Sequence, residues 1–408
     1  MMASLNETPS ANRLHIGVFG PTNAGKSSFL NRLTGQQVSI VSQQAGTTTD
    51  PVYKAMELLP LGPCTFIDTA GFGDDTSLGQ LRLEKTALAA EKTDIALLLL
   101  PGDLNPQDFP GKFPEESRWY SIFKQKNTPV LFLLTKADLH PGAEAAAKAL
   151  EAATGDMALA VSSTTGQGMD QVKSALVRLM PEGYAAPSIT GPLCGAGDTV
   201  LLVMPQDIQA PKGRLILPQV QTIRELLDKK CLVHCVTTDQ FDAMLAALTE
   251  PPKLIITDSQ VLPLIYERKP AGSILTTFSI LFAGYKGDID YYVDSAQAMG
   301  NLREDSRVLI AECCTHAPLQ EDIGRDKIPR MLKKRFGQGL TVEVVSGTDF
   351  PQDLSKYDLV IQCGGCMFNR KYVLSRIQRA KDQGVPMTNY GVCIAYLSKI
   401  IDKICTKW

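Results

Sequence analysis

Short apolar runs alternate along this chain with longer amphipathic stretches. Runs rich in Val, Ile and Leu favour strands that are buried on both faces, and the amphipathic stretches favour helices that cover those faces. The predicted strands are 14–19, 65–67, 94–100, 129–134, 158–161, 199–204, 232–236, 253–257, 307–311 and 357–361. The predicted helices are 26–33, 218–230, 240–248 and 369–382. This order predicts an α/β protein with mainly parallel sheets.

A segment rich in proline and glycine, 181–192, interrupts the alternation and is typical of a linker between domains. The pattern therefore predicts three α/β domains, the first larger than the other two. The predicted division is a flexible tail (1–12), a first domain (13–180), a linker (181–197), a second domain (198–270) and a third domain (271–408). Because the second domain carries no recognisable catalytic residues, we expect it to form a dimer interface.

Composition narrows the class of protein. The 408 residues are 44% hydrophobic and 21% charged, as in soluble globular proteins, and the net charge of −2 gives no basic field for binding nucleic acid. The N-terminus lacks a secretory signal, and the longest apolar run, 274–283, is too short to span a membrane. We therefore expect a cytoplasmic protein whose ten cysteines are thiols or metal ligands rather than disulfides.

The segment that joins the first predicted strand to the first predicted helix, Gly20-Pro-Thr-Asn-Ala-Gly-Lys-Ser27, fits a phosphate-binding loop. Glycines allow the tight turn, Lys26 can reach the terminal phosphates of a nucleotide, and Ser27 can bind Mg²⁺. The residues of this loop that we expect to contact the nucleotide are Gly20, Asn23, Gly25, Lys26, Ser27 and Ser28.

Further motifs follow in the order that a GTPase requires. Thr48 lies in a polar segment suited to a first switch and is the expected second Mg²⁺ contact. In Asp68-Thr-Ala-Gly71, the carboxylate would hold Mg²⁺ through water and the Gly71 amide would contact the γ-phosphate. Thr135-Lys136-Ala-Asp138 and Ser162-Ser163 would form the base pocket, in which an aspartate accepts two hydrogen bonds that guanine can donate and adenine cannot.

These motifs resemble the GTPase family that includes Era and MnmE, which implies a Ras-like P-loop domain that hydrolyses GTP to GDP and phosphate. Thr135 stands where that family usually has Asn, which would weaken the base pocket. Phe72 stands where Ras-like proteins have the glutamine that orients water, so we expect slow hydrolysis. Asn23 matches the residue that potassium-activated members use to hold K⁺; the alternative is an ordinary turn residue.

Two cysteine motifs follow predicted strands in the third domain: Cys314-Thr-His316 and Cys363-Gly-Gly-Cys366. Because the carboxyl ends of parallel strands meet at one edge of a sheet, we expect three thiolates to converge there on an iron–sulfur cluster. Zinc with His316 as fourth ligand is the alternative. If the strand continued past Ala311, Cys313 and Cys314 would face opposite sides, and only one of them would be a ligand.

Over nearly its whole length the chain resembles the HydF family, the GTPase maturation proteins of di-iron hydrogenases. Cys314-Thr-His316, Glu321-Asp-Ile-Gly324 and Cys363-Gly-Gly-Cys366 carry this resemblance, which selects Cys314 over Cys313. The resemblance implies a 4Fe-4S cluster on Cys314, Cys363 and Cys366, with Glu321 or His316 as a possible fourth ligand. It also implies a transient di-iron unit, two radical-SAM partners, HydE and HydG, and delivery to apo-hydrogenase.

Two other functions remain open at this stage. One is an RNA-modification or ribosome-assembly GTPase, against which stand the neutral charge and the cysteine motifs. The other is a redox-sensing GTPase, which would hold a fully protein-ligated cluster and carry no di-iron unit.

Overall fold

The computed structural model describes residues 9–35, 51–69, 77–109, 111–181, 184, 188–205, 215–313 and 322–408. The chain forms two compact units, 1–185 and 186–408. Within the described residues, no helix combines the length and the apolar character needed to cross a membrane.

The first unit is built on one six-stranded sheet. Its strands are β1 (Leu14–Phe19), β2 (Val52–Leu58), β3 (Gly62–Asp68), β4 (Ile95–Pro101), β5 (Val130–Thr135) and β6 (Ala158–Ala160). Its helices are α1 (Lys26–Thr34), α2 (Ser77–Lys92), α3 (Pro114–Gln125), α4 (Ala143–Thr154) and α5 (Met169–Arg178). The strand order is β2-β3-β1-β4-β5-β6, and all neighbours are parallel except β2 and β3.

Successive residues of the central strands serve opposite faces of this sheet. Leu97 and Leu99 of β4 pack into one hydrophobic cluster with α1 and α5, whereas Leu98 and Leu100 pack into another with α3 and α4. Because both faces are covered, the central strands β4 and β5 are almost entirely apolar, as the sequence pattern predicted. The described part confirms a parallel α/β unit whose strands β1, β3 and β5 end at the same edge.

The second unit contains two four-stranded sheets. Its strands are β7 (Thr199–Val203), β8 (Leu232–Val236), β9 (Leu254–Thr257), β10 (Ile274–Thr277), β11 (Arg307–Ala311), β12 (Thr341–Val345), β13 (Leu359–Gln362) and β14 (Met387–Asn389). Its helices are α6 (Leu217–Asp228), α7 (Phe241–Ala247), α8 (Leu262–Arg268), α9 (Phe278–Lys286), α10 (Ile289–Ala296), α11 (Ile328–Phe336), α12 (Arg370–Asp382) and α13 (Tyr390–Leu397). The strand orders are β10-β9-β7-β8 and β12-β11-β13-β14, and every pair is parallel.

The boundary that the sequence placed between residues 270 and 271 needs correction. Strand β10 follows that point and pairs with β9 through Ile274–Leu254 and Thr277–Thr257, so it belongs to the middle sheet. The apolar run 274–283 contains both this edge strand and the beginning of α9, and a continuous apolar run does not reveal where a strand ends and a helix begins. The middle sheet therefore ends at residue 277.

Glu225 of α6 fastens the segment that enters the second unit. Its carboxylate accepts hydrogen bonds from the Ser188 hydroxyl (2.9 Å), the Ile189 amide (2.5 Å) and the Thr190 amide (2.8 Å) and hydroxyl (2.7 Å). Burial alone would raise its pKa, but these hydrogen bonds outweigh burial and hold the pKa below its usual value. The ionised carboxylate is therefore the form that stabilises this unit.

We predict that Glu225→Gln lowers the stability of the second unit by about 1–3 kcal/mol near neutral pH, because an amide replaces a carboxylate among four donors. A carboxyl group whose pKa is depressed on folding stabilises the protein above its unfolded pKa, and this contribution is lost as pH falls through the folded value. The difference between wild type and variant should therefore shrink below about pH 4. Urea unfolding at several pH values measures it, with Glu250→Gln at an exposed position as the control; equal midpoints for Glu225→Gln and wild type at neutral pH would contradict the prediction.

Candidate nucleotide and metal sites

The loop between β1 and α1 has the backbone of an anion-binding turn. Three of its residues have positive φ: Gly20 (147°), Asn23 (65°) and Gly25 (84°). A Cβ atom at Gly20 would lie 2.5 Å from the carbonyl oxygen of Leu99, so only glycine fits there. Helix α1 begins directly after Gly25, so its free amides face the loop. Ser28 lies exposed in the first turn of this helix.

Lys26 is buried at the base of this loop. Its ammonium donates to the carbonyl oxygens of Gly20 and Pro21, each at 2.9 Å, and the side chain lies where burial lowers its pKa to about 8. The carboxylates of Asp68 and Glu116 oppose that effect. Glu116, on α3, is itself buried, which raises its pKa; no motif in the sequence indicated it as a site residue.

Ser27 and Asp68 meet at the carboxyl edge of the sheet. The Ser27 hydroxyl donates to Oδ2 of Asp68 at 3.1 Å, and Asp68, the last residue of β3, pairs in register with Val18 of β1. A hydroxyl and a carboxylate in contact beside the phosphate loop form the oxygen donor set that Mg²⁺ prefers. These two residues therefore fit the magnesium site that the sequence predicted.

The two segments predicted to form the base pocket lie side by side. The Ala137 amide donates to the Val161 carbonyl at 3.1 Å, and the Val161 amide donates to the Leu134 carbonyl at 2.8 Å. Lys136 has a positive φ of 57°. This turn leaves the Asp138 side chain exposed at the edge, where it can accept hydrogen bonds.

Supporting hydrogen bonds stabilise the same pocket. The Ser162 hydroxyl accepts from the Thr165 amide at 3.1 Å, and the Ser162 amide donates to the Gln167 carbonyl at 3.0 Å, while Ser163 is half-buried. Thr135 is buried, and its hydroxyl donates to the Leu100 carbonyl at 3.2 Å. Thr135 therefore ties the ends of β5 and β4 together.

The cysteine motif of residues 363–366 lies at the carboxyl end of β13, beside the end of β11. The Cys363 amide donates to the Ala311 carbonyl at 3.0 Å, and the Cys313 amide donates to the Cys363 sulfur at 3.1 Å. The sulfur atoms of Cys313 and Cys366 lie 3.9 Å apart. Because β11 ends at Ala311, the strand alternation does not extend to Cys313, and this thiol joins the other two instead of facing away from them.

The surroundings of these sulfur atoms suit an anionic metal group. The neighbouring Cys313 thiol and burial hold the pKa of Cys363 well above its usual value, and a hydrogen bond from the Gly365 amide opposes them. Gly365 has a positive φ of 65°, which allows a tight turn in which its amide faces the Cys363 sulfur. Amides directed at sulfur and the buried ammonium of Lys286, which interacts electrostatically with all three cysteines, both favour thiolates bound to metal. The described residues thus fit part of an iron–sulfur site.

Several predicted site residues fall outside the described ranges: Thr48, Gly71, Phe72, Cys314, His316 and Glu321. Among the residues that are described, no group of three or more His, Cys, Asp or Glu has an arrangement that could hold a metal ion. Cys393 is buried and its thiol contacts the Met299 sulfur at 3.8 Å, so it is a core residue.

Comparisons with known proteins agree with this geometry. The family description "50S ribosome-binding GTPase" matches residues 15–136, "Hydrogen maturase F dimerization domain" matches 189–287, and "Hydrogen maturase F tetramerization domain" matches 290–406. The two hydrogen maturase F domains together cover more than half of the chain. The chain thus contains a GTPase domain followed by two domains associated with oligomerisation.

Individual relatives match the GTPase half. The GTPase Der of Wolinella succinogenes is 43% identical over 99 residues, which are 24% of this chain and 20% of that protein. The tRNA modification GTPase MnmE of Paramagnetospirillum magneticum is 31% identical over 198 residues, 47% of this chain and 41% of that one. The chain therefore spans less than half the length of these relatives. The structure of Aquifex aeolicus Era bound to GDP and AlF4⁻ aligns with a TM-score of 0.37 at 18% identity, covering 55% of this chain and 92% of that one.

We predict that Asp138→Asn changes nucleotide selectivity. The carboxylate can accept from both N–H groups at the guanine edge, whereas an amide in its place can donate to the 2-carbonyl of xanthine. GTP binding should weaken about 100-fold and XTP binding should strengthen. Competition with a fluorescent nucleotide measures both, and Asp170→Asn, at an exposed position of α5, is the control. Unchanged GTP affinity in Asp138→Asn would rule out this base pocket.

Proposed function

Because the chain belongs to the hydrogen maturase F family, we propose that it is a GTP-hydrolysing scaffold that holds a 4Fe-4S cluster and carries a di-iron unit to a di-iron hydrogenase. The observation that carries this proposal is the contact between the Cys363–Cys366 motif and the end of β11. This motif lies in the second unit of a chain whose first unit contains a nucleotide-binding loop. The nucleotide-binding half alone would not distinguish it from an RNA-modification or ribosome-assembly GTPase.

For GTP hydrolysis, each residue would have the role that its motif implies. Lys26 would neutralise charge on the terminal phosphates, and Ser27 would hold Mg²⁺ with Asp68 and with Thr48. The Gly71 amide would contact the γ-phosphate. Phe72 in place of a glutamine leaves no side chain there to orient water, so turnover would be slow.

Potassium would take part in the same reaction through Asn23. The residue lies in the phosphate loop at a positive φ of 65°, with its side chain exposed. An amide oxygen at that place can help to hold a monovalent cation, which would neutralise transition-state charge where other GTPases use an arginine.

The cluster would be held by Cys314, Cys363 and Cys366, with Glu321 or His316 as the fourth ligand. When bound, the cluster would supply an iron with an exchangeable position to which a second metal unit can attach. The chain's own contribution would be the Gly365 amide, which donates a hydrogen bond to the Cys363 sulfur and helps to orient it.

The family implies three partners: the radical-SAM maturases HydE and HydG, and the apo-hydrogenase. The protein would act as a homodimer and would bind these partners in the cytoplasm. GTP hydrolysis would switch contacts with these partners rather than drive bond formation at the cluster. Support for self-association comes from the matches of 189–287 and 290–406 to dimerization and tetramerization domains.

We predict that K⁺ accelerates GTP hydrolysis relative to Na⁺, and that Asn23→Gly removes this difference. Glycine keeps the positive φ while deleting the side chain that would hold the cation. Phosphate release in each salt measures the effect, and Asn127→Gly is the matched control because Asn127 is also exposed at a positive φ of 48°. A rate in Na⁺ equal to that in K⁺ for wild type would contradict the role of potassium.

The cluster has its own test. After anaerobic reconstitution with iron and sulfide, the reduced wild-type protein should give the EPR signal of a 4Fe-4S cluster. We expect Cys363→Ala to lose that signal and Cys405→Ala to keep it, because Cys405 is a half-buried thiol that donates to the Lys407 carbonyl at 3.3 Å. Stoichiometric zinc without an iron signal in wild type would instead favour a GTPase with a structural metal domain.

A further inference from the structure

Lys286, the last residue of α9, is a buried lysine that the proposed function does not use. Its side chain is 2% exposed. The ammonium donates to the carbonyl oxygens of Phe368 at 2.8 Å and Cys366 at 3.0 Å, and also to that of Gly365 at 3.4 Å. These three hydrogen bonds all go to one turn, the turn that carries the cysteine motif.

The position of this lysine is fixed by its helix. The Thr277 hydroxyl caps α9 by accepting from the Ile280 amide at 3.1 Å, and Phe278, Ile280 and Leu281 are buried. Helix α9 also packs against α6, α12 and α13. Lys286 thus projects from a capped and well-packed helix, which fixes where its side chain starts.

The contact also joins two parts of the chain. Lys286 lies in the region that matches the dimerization domain, 189–287, whereas the turn that it holds lies in the region that matches the tetramerization domain, 290–406. A residue from the first region therefore donates hydrogen bonds to the cysteine turn in the second.

The charge of the Lys286 ammonium also affects the three neighbouring cysteines. Burial lowers the pKa of Lys286 to about 8, and the groups that oppose this are Cys366, Cys313 and Cys363. Taking an ammonium out of water is costly unless hydrogen bonds and negative charge compensate. Three carbonyls provide the hydrogen bonds, and thiolates bound to a metal group would provide the negative charge.

We propose that Lys286 is a positioning residue for the cysteine site, which holds the turn of residues 365–368 and places a positive charge beside the sulfur atoms. This inference rests on the proposed function, because it assumes a metal group on these cysteines. A nearby cation stabilises the more negative, reduced form of an iron–sulfur cluster, so it raises the reduction potential.

The test compares Lys286→Met and Lys286→Gln with wild type in the full-length protein after anaerobic reconstitution. Methionine removes the charge and the donors, whereas glutamine removes the charge and keeps a donor. Lys269→Met is the matched control, because Lys269 also donates to carbonyls, those of Ser273 at 2.8 Å and Pro270 at 3.1 Å. An EPR-monitored redox titration should give a lower midpoint potential for both Lys286 variants and an unchanged potential for Lys269→Met.

A second measurement separates this inference from the proposed function. Anaerobic titration of the metal-free protein with Co²⁺ reports thiolate binding by its absorption and needs no cluster. We expect Lys286→Met to bind Co²⁺ through thiolates about tenfold more weakly than wild type and Lys269→Met, because the turn loses its charged donor.

The outcomes are distinct. If wild type takes up no cluster, the proposed function fails, and the Co²⁺ titration alone decides the role of Lys286. If both Lys286 variants match wild type in Co²⁺ affinity, and in potential where a cluster forms, the inference is overturned. Should Lys286→Met fail to fold, as judged by circular dichroism, Lys286→Gln decides: a potential equal to that of wild type overturns the charge effect.

Discussion

Parallel strands place both sites of this protein, because the carboxyl ends of such strands all lie at one edge of their sheet. In the first unit this edge brings Asp68, at the end of β3, to Ser27, which follows β1. In the second unit it brings the turn after β13 to the turn after β11. Strand pairing alone thus brings together residues that are far apart in sequence.

In the sheet with the order β12-β11-β13-β14, the strand order reverses between β11 and β13, and in open α/β sheets ligands bind at such a position. The chain connects β11 to β12 on one side and β13 to β14 on the other side. The connections that follow β11 and β13 therefore lead in opposite directions along the sheet. Loops that diverge at neighbouring strand ends leave space between them. The Cys313 amide donates to the Cys363 sulfur at this point, at 3.1 Å.

Much of this could be predicted from the sequence, because its signals are local. Buried central strands are continuous apolar runs, and Lys26, Ser27 and Asp68 lie in motifs whose spacing reflects the turn itself. Strand β10 was missed because it shares one apolar run with α9. The position of the Cys313 thiol beside Cys363 and Cys366 could not be predicted, because beyond Ala311, where β11 ends, strand alternation no longer determines which way a side chain faces. Glu116 and Lys286 lie on helices whose partners depend on the tertiary fold, to which sequence spacing gives no access.

Lys26 and Lys286 are the lysines that are buried in the described part of the chain, and both hold the loop of a proposed anion site. Each donates to backbone carbonyls of that loop, and burial lowers the pKa of each to about 8. Stability alone would favour an apolar side chain at such positions, because desolvating an ammonium costs more than its hydrogen bonds return. In the first unit, the phosphate groups of a nucleotide bound at the loop would compensate that cost. By the same reasoning, Lys286 is best explained by an anionic group on the neighbouring cysteines.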